Sequence, residues 1–267
     1  MKRLPAVAGQ FYPDTEKLLK IEIEKYIDPK KDKSNVIGVM SPHAGYMCSG
    51  MVAGQLFSEI HVPDTVIILG PNHRGLGSDY AIMSEGQWQT PLGTVDIDQT
   101  LAYKIREKCS YIKEDEDAHR HEHSLEVQVP FLQYVKKDVR IVPICIGGYD
   151  EEVFECVGKC IAESIKETES KVLIIASSDM THYESAEAAK EKDEMALQAI
   201  LKLDEKKMLH TVSDYNITMC GYAPTAIMLI AAKELGAKKA HLVSYMNSGD
   251  AIGDYSSVVG YAGVTVS

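Results

Sequence analysis

Three histidines stand a short distance beyond apolar runs of the kind that form buried strands. Val36–Met40 leads into Ser41-Pro42-His43, Val66–Gly70 into Pro71-Asn72-His73, and Val172–Ala176 into Ser177-Ser178-Asp179-Met180-Thr181-His182. A single histidine at such a place is most simply a core residue with a satisfied ring. In open α/β sheets, however, the ligand crevice lies just past the carboxyl ends of the strands. Three such placements among nine histidines point to one shared site.

Two further stretches carry chemistry. In 119-HRHEHSLEVQVPF-131, His121, Glu122, His123 and Glu126 stand where an apolar-periodic helix begins. Acidic residues there complement the positive helix end; the functional reading puts His123 or Glu126 in the crevice as a proton carrier. Cys220-Gly221 opens another apolar helix, and a helix amino terminus lowers a thiol pKa, which favours a ligand or nucleophile. Two histidines, His43 and His73, with Cys220 as anionic third ligand would suit Fe(II), Zn(II) or Cu and leave positions open. His182 would serve as general base with Asp179 as its neighbour. A metal-free alternative makes Cys220 a nucleophile activated by His182 and oriented by Asp179.

The elements that must position these residues alternate. Strand-like runs cover 36–40, 66–69, 80–83, 139–146, 172–176, 241–245 and 258–266. Helical patterns cover 14–26, 51–60, 99–108, 123–135, 151–167, 186–202, 205–214 and 222–235. That alternation predicts an α/β fold, a mostly parallel central sheet flanked by helices. VIIL and VLIIA lack polar alternation, as strands covered on both faces do. The last run has no helix after it and reads as an antiparallel or edge strand. No linker, low-complexity tract or repeat interrupts residues 1–267, so a single domain is expected.

Composition narrows the function classes. With 45% hydrophobic and 25% charged residues the chain is of ordinary globular type. A net charge of −11 argues against nucleic acid or anionic membrane as a partner, because both need basic patches. No apolar run is long enough to span a bilayer or to form a signal peptide, so a cytoplasmic protein is expected. Six cysteines without a C-x-x-C pair suggest reduced thiols. Cys156 and Cys160 share a helix face and read as small buried hydrophobes, with a metal or redox role as the alternative. Asn247, Asp250 and Asp254 read first as turn residues and second as crevice residues.

Eight ordered motifs carry a resemblance: 5-PAVAGQFYP-13, 42-PHAGY-46, 70-GPNHRG-75, 90-TPLG-93, 121-HEHSLEVQVPFLQ-133, 177-SSDMTHY-183, 219-MCGYAP-224 and 247-NSGDAIGDYSSVVGYAG-263. The chain resembles the Memo family, the B component of the AmmeMemoRadiSam set, which is similar in fold to the class III extradiol (LigB-like) dioxygenases. Those enzymes hold non-haem iron on two histidines and a glutamate. The resemblance implies His43 and His73 as metal-binding histidines, with Cys220 where a dioxygenase offers its carboxylate. It implies His182 as the acid/base histidine, with Asp179 and His123 lining the cavity. A thiolate in place of a carboxylate is softer and oxidisable, and implies iron(II) or copper, with zinc as the third choice. Radical-SAM and AMMECR-type proteins are the partners the resemblance implies, in a modification pathway of open substrate. A binding module for a peptide or protein partner that keeps the cavity without catalysis is the rival reading.

Overall fold

The computed structural model describes residues 1–267. Its strands are β1 Lys2–Arg3, β2 Gly38–Ser41, β3 Thr65–Pro71, β4 Tyr80–Ile82, β5 Gln87–Thr90, β6 Gly93–Ile97, β7 Lys113–Glu114, β8 Arg140–Ile146, β9 Val172–Ser177, β10 His182–Glu184, β11 Ala240–Asn247 and β12 Val258–Val266. The helices are α1 Glu16–Glu24, α2 Tyr46–Ser58, α3 Gln99–Lys108, α4 Asp117–Arg120, α5 Gln128–Val135, α6 Glu151–Lys166, α7 Ala186–Leu201, α8 Glu205–Asp214, α9 Tyr222–Glu234 and α10 Ser248–Ile252.

Five parallel strands, in the order β6-β8-β3-β9-β2, make the centre of the sheet. Every residue of β3 and β9 is buried, which explains their unbroken apolar runs. The expected α/β class therefore holds. All the buried hydrophobic cluster is one piece, 73 residues in extent, so no second core defines a further domain. The closing strand β12 is antiparallel to β2, as its lack of a following helix suggested, but it is not an edge. Strands β11 and β10 cover its other side. No helix is long and apolar enough to cross a membrane.

The helix expected over 123–135 starts only at Gln128; residues 121–127 are turns that cross the carboxyl end of β3. Ser124 Oγ donates to the Pro71 carbonyl at 2.9 Å, and Leu125 lies on Gly70. A Cβ at Gly70 would come within 2.7 Å of both Leu125 and Ser124, so glycine is what lets this segment lie flat on the strand end. Gly50 also permits close approach, but its neighbour is the Tyr26 ring rather than the crevice. Gly45 has a φ of −57°, which any residue adopts, so its backbone does not require glycine.

Glu126 belongs to this crossing segment, and it faces away from the crevice. Its carboxylate accepts from Arg3 Nη1 at 2.7 Å, the Ala6 and Val7 amides, and the Tyr12 hydroxyl. The Arg3 and Glu126 side chains are 4% and 1% exposed. The proton-carrier role considered for Glu126 therefore gives way to anchoring of the amino-terminal segment. Breaking such a buried pair from one side costs about 3–5 kcal/mol, because the surviving charge stays buried without its partner. Glu126→Ala is expected to lose that much stability in urea denaturation, and a loss under about 1 kcal/mol would contradict the anchoring role.

Candidate metal centre

Strand β9 lies between β3 and β2, so the three strand ends that carry histidines are neighbours in the sheet. Strands sit about 4.8 Å apart, which leaves about 10 Å between the ends of β2 and β3 for side chains to bridge. His43 and His73 lean towards each other across β9, with ring centroids 5.2 Å apart. The crossing segment 121–127 adds His123, whose ring stacks on His73 at 4.7 Å and lies 5.5 Å from His43. One ligand atom from each of these three rings falls within 4.8 Å of the other two.

Hydrogen bonds fix which nitrogen of each ring is bare. Ser177 Oγ donates its proton to the Ser124 carbonyl at 2.6 Å and accepts from Gln128 Nε2 at 2.8 Å. With its one proton committed, Ser177 can only accept from His43 Nδ1, 3.0 Å away. His43 Nε2 is therefore the lone-pair atom. Burial, reinforced by the His73 and His123 rings, holds the His43 pKa well below its ordinary value, so the ring is neutral. His73 Nδ1 donates to Glu122 Oε1 at 2.9 Å, which leaves its Nε2 bare as well. A carboxylate behind a histidine is the usual way of orienting a metal-binding ring. Burial lowers His123 to about 4, against the opposing pull of Glu122.

Glu122 organises this corner. Its Oε2 accepts the His73 amide at 2.6 Å, and its Oε1 accepts the His123 and Ser124 amides, each at 2.9 Å. Burial pushes its pKa up, but the hydrogen bond from His73 and those from the backbone amides outweigh that and set it at about 2. Sequence reasoning placed Glu122 at the helix entrance without a task. The motif HEH contains the signal, but the acceptor role depends on a tight turn that periodicity does not reveal.

Cys220 approaches from the other side, with Sγ 3.1 Å from His43 Nε2 and 3.3 Å from the Asp179 amide, which donates to it. It lies outside the group of three converging rings. The expected lowering of its pKa is reversed: burial and then the Asp179 charge push the thiol well above its ordinary value. Helix α9 starts at Tyr222 with Gly221 as cap, so Cys220 precedes the helix, and desolvation wins. Asp179 does not orient His182. Its Oδ1 accepts the His43 amide at 2.7 Å, and burial raises its pKa to about 6 despite that bond. His182 Nδ1 lies 2.9 Å from the Thr218 carbonyl, which only accepts, so Nδ1 carries the proton and Nε2 is free. Cys220 thus bonds His43 and Asp179, while His182 bonds Thr218; the Cys220–His182 pairing of the metal-free alternative is not made. Thr218 gave no sequence signal, yet its carbonyl engages the His182 ring and its hydroxyl accepts the His182 amide at 2.6 Å. Asn247, Asp250 and Asp254 are engaged in a capping box and a turn at Ser256.

The family model described as "Memo-like protein" matches residues 3–265. The chain belongs to the Memo family. Family relatives named "MEMO1 family protein" include one from Methanopyrus kandleri, 44% identical across 99% of this chain and 98% of its own. Another from Methanococcoides burtonii is 46% identical across 99% of both, and one from Aquifex aeolicus is 44% identical across 98% of both. An uncharacterized Escherichia coli K12 protein of known structure shares the fold, with a TM-score of 0.57 and 13% identity. That likeness covers 86% of this chain and 99% of the other.

The low Glu122 pKa has a testable consequence in metal-free protein. A folded-state value of about 2 against an ordinary 4.5 contributes about 3 kcal/mol of stability. That contribution is fully present above pH 4.5 and fades as pH falls towards 2. Glu122→Gln should be about 3 kcal/mol less stable than the parent at pH 7. Urea midpoints of the two proteins should converge as the pH is taken below 4.5; a constant gap would contradict the assignment.

Proposed function

We propose that this crevice holds one transition-metal ion and that the protein is a metal-dependent oxidoreductase. The observation that carries the reading is the pair of fixed ring orientations: His43 and His73 each have Nδ1 committed to a buried acceptor, which leaves Nε2 for other partners, that of His43 lying 3.1 Å from Cys220 Sγ. These two nitrogens are the proposed primary ligands, with Cys220 as the ionisable third and His123 available beside them. A set of neutral imidazoles and one sulfur suits iron(II) or copper before zinc, and disfavours magnesium or calcium. The three rings bring their ligand atoms within 4.8 Å of one another, close enough that they would hold such an ion together. When bound, such an ion supplies Lewis acidity and one-electron chemistry.

The chain's own residues do the remainder. Cys220 gives up its thiol proton when it ligates, and the Asp179 amide stabilises the sulfur left behind. His182 is the proposed base that takes a proton from substrate; the Thr218 carbonyl engages Nδ1 and leaves Nε2 for that task. Family membership is the ground for proposing radical-SAM and AMMECR-type proteins as partners in a modification pathway. The metal-free hydrolase is disfavoured because Cys220 is a half-buried thiol without His182 beside it in the hydrogen-bond network.

Metal analysis after anaerobic purification tests the reading. A stoichiometric ion is expected, lost in His43→Ala and in His73→Ala and bound more weakly in Cys220→Ala. His182→Ala should keep the ion. Metal-free protein whose Cys220 is alkylated rapidly near pH 7 would instead indicate the nucleophile. Protein with neither property but a tight peptide partner would indicate a binding module.

A further inference from the structure

Helices α3 and α6 pack side by side on the sheet, and they bring three cysteines together at their contact. Cys109 follows the last turn of α3, while Cys156 and Cys160 are one turn apart on α6. One sulfur from each lies within 4.8 Å of the other two. None of these residues belongs to the histidine crevice. Cys109 and Cys160 are buried and Cys156 is half-buried, which gives the cluster one side open to entry. All three are free thiols.

We propose that Cys109, Cys156 and Cys160 form a second metal site, a three-thiol pocket for a soft d10 cation, with Cu(I) as its best occupant. Metal–sulfur bonds near 2.3 Å put three trigonal sulfurs about 4.0 Å apart, so each sulfur need move only about 0.5 Å to close on an ion. Rotation about the cysteine side chains covers that distance without backbone movement. The donor set is purely sulfur, which selects Cu(I) or Zn(II) over harder ions. The Lys108 carbonyl, 3.4 Å from Cys160 Sγ and accepting from it, is the nearest oxygen in the hydrogen-bond network. No imidazole or carboxylate joins the group of three, so the site favours an ion content with three ligands over Zn(II), which prefers four. Three thiolates around Cu(I) leave a net charge of −2, and the Lys108 and Lys159 ammonium groups stand near enough to Cys160 and Cys156 for their charges to interact.

Binding is an exchange without redox change. Three S–H bonds break, three sulfur–metal bonds form, and three protons pass to solvent. Burial pushes the Cys160 thiol up to about 12 and raises that of Cys109, so these two are protonated at pH 7 and poorly suited to act as nucleophiles.

The test titrates reduced, metal-free full chain with Cu(I) under argon, in competition with a bathocuproine chelator. His43→Ala/His73→Ala/Cys220→Ala serves as the background, so that the proposed crevice ligands contribute no signal. One high-affinity Cu(I) per chain is expected there, with an ultraviolet sulfur-to-metal charge-transfer band and release of about three protons. Adding Cys156→Ser, at the half-buried position least needed for packing, should weaken binding at least about 100-fold and remove most of the band. Cys109→Ser and Cys160→Ser should do the same, with circular dichroism and thermal unfolding reporting whether each remains folded. Cu(I) affinity unchanged by Cys156→Ser would overturn the proposal. So would a free-thiol count showing that two of the three close into a disulfide in preference to binding the ion. Because the background lacks the crevice ligands, failure here leaves the crevice reading untouched, and the reverse also holds.

Discussion

A single buried carboxylate holds the crevice together. Glu122 accepts four N–H groups, two from His73 and one each from His123 and Ser124. Those bonds fold residues 121–127 into turns over the end of β3, orient the His73 ring, and place His123 against it. A charge in such a place is tolerated only because every bond made to it is a donor bond. Were the carboxylate neutral or displaced, three site residues would lose their geometry together. Ser177 does the corresponding work for His43 with no charge at all, because the Ser124 carbonyl takes its only proton. Ser124 therefore links both arrangements, through its amide to Glu122 and through its carbonyl to Ser177.

Much of this was legible in the residues. The apolar runs of β3 and β9 announced strands covered on both faces, and histidines just beyond them announced a site at the carboxyl end of the sheet. That β9 sits between β3 and β2 was not legible, because strand order depends on which crossover packs where and leaves no local pattern. Glu122 and Glu126 show the same boundary at smaller scale. Four residues apart, they would share a face on a helix. The turns between them send one into the crevice and the other to the amino-terminal segment. His182 and Cys220 were recognised as reactive types, but their protonation states follow from burial and from a carbonyl 36 residues away.

The fold also separates two kinds of donor. Imidazole nitrogens gather at the strand ends, while a sulfur cluster lies between helices α3 and α6. In the readings proposed above, the first arrangement serves chemistry, and the second, with two of its three cysteines buried, suits retention of an ion rather than turnover at it.

The amino-terminal segment changes meaning in this light. Glu126 clamps residues 3–12, and the same segment lays the Phe11 ring 4.8 Å from His123 and lends its carbonyl to the Tyr46 amide at the start of α2. Residues 3–12 thus form a wall of the site, held in place by an ion pair outside it. That wall closes only once residues 121–127 have crossed the end of β3 and offered Glu126 to receive it. Assembly of the site is in this sense a closing event, a latch drawn across the mouth.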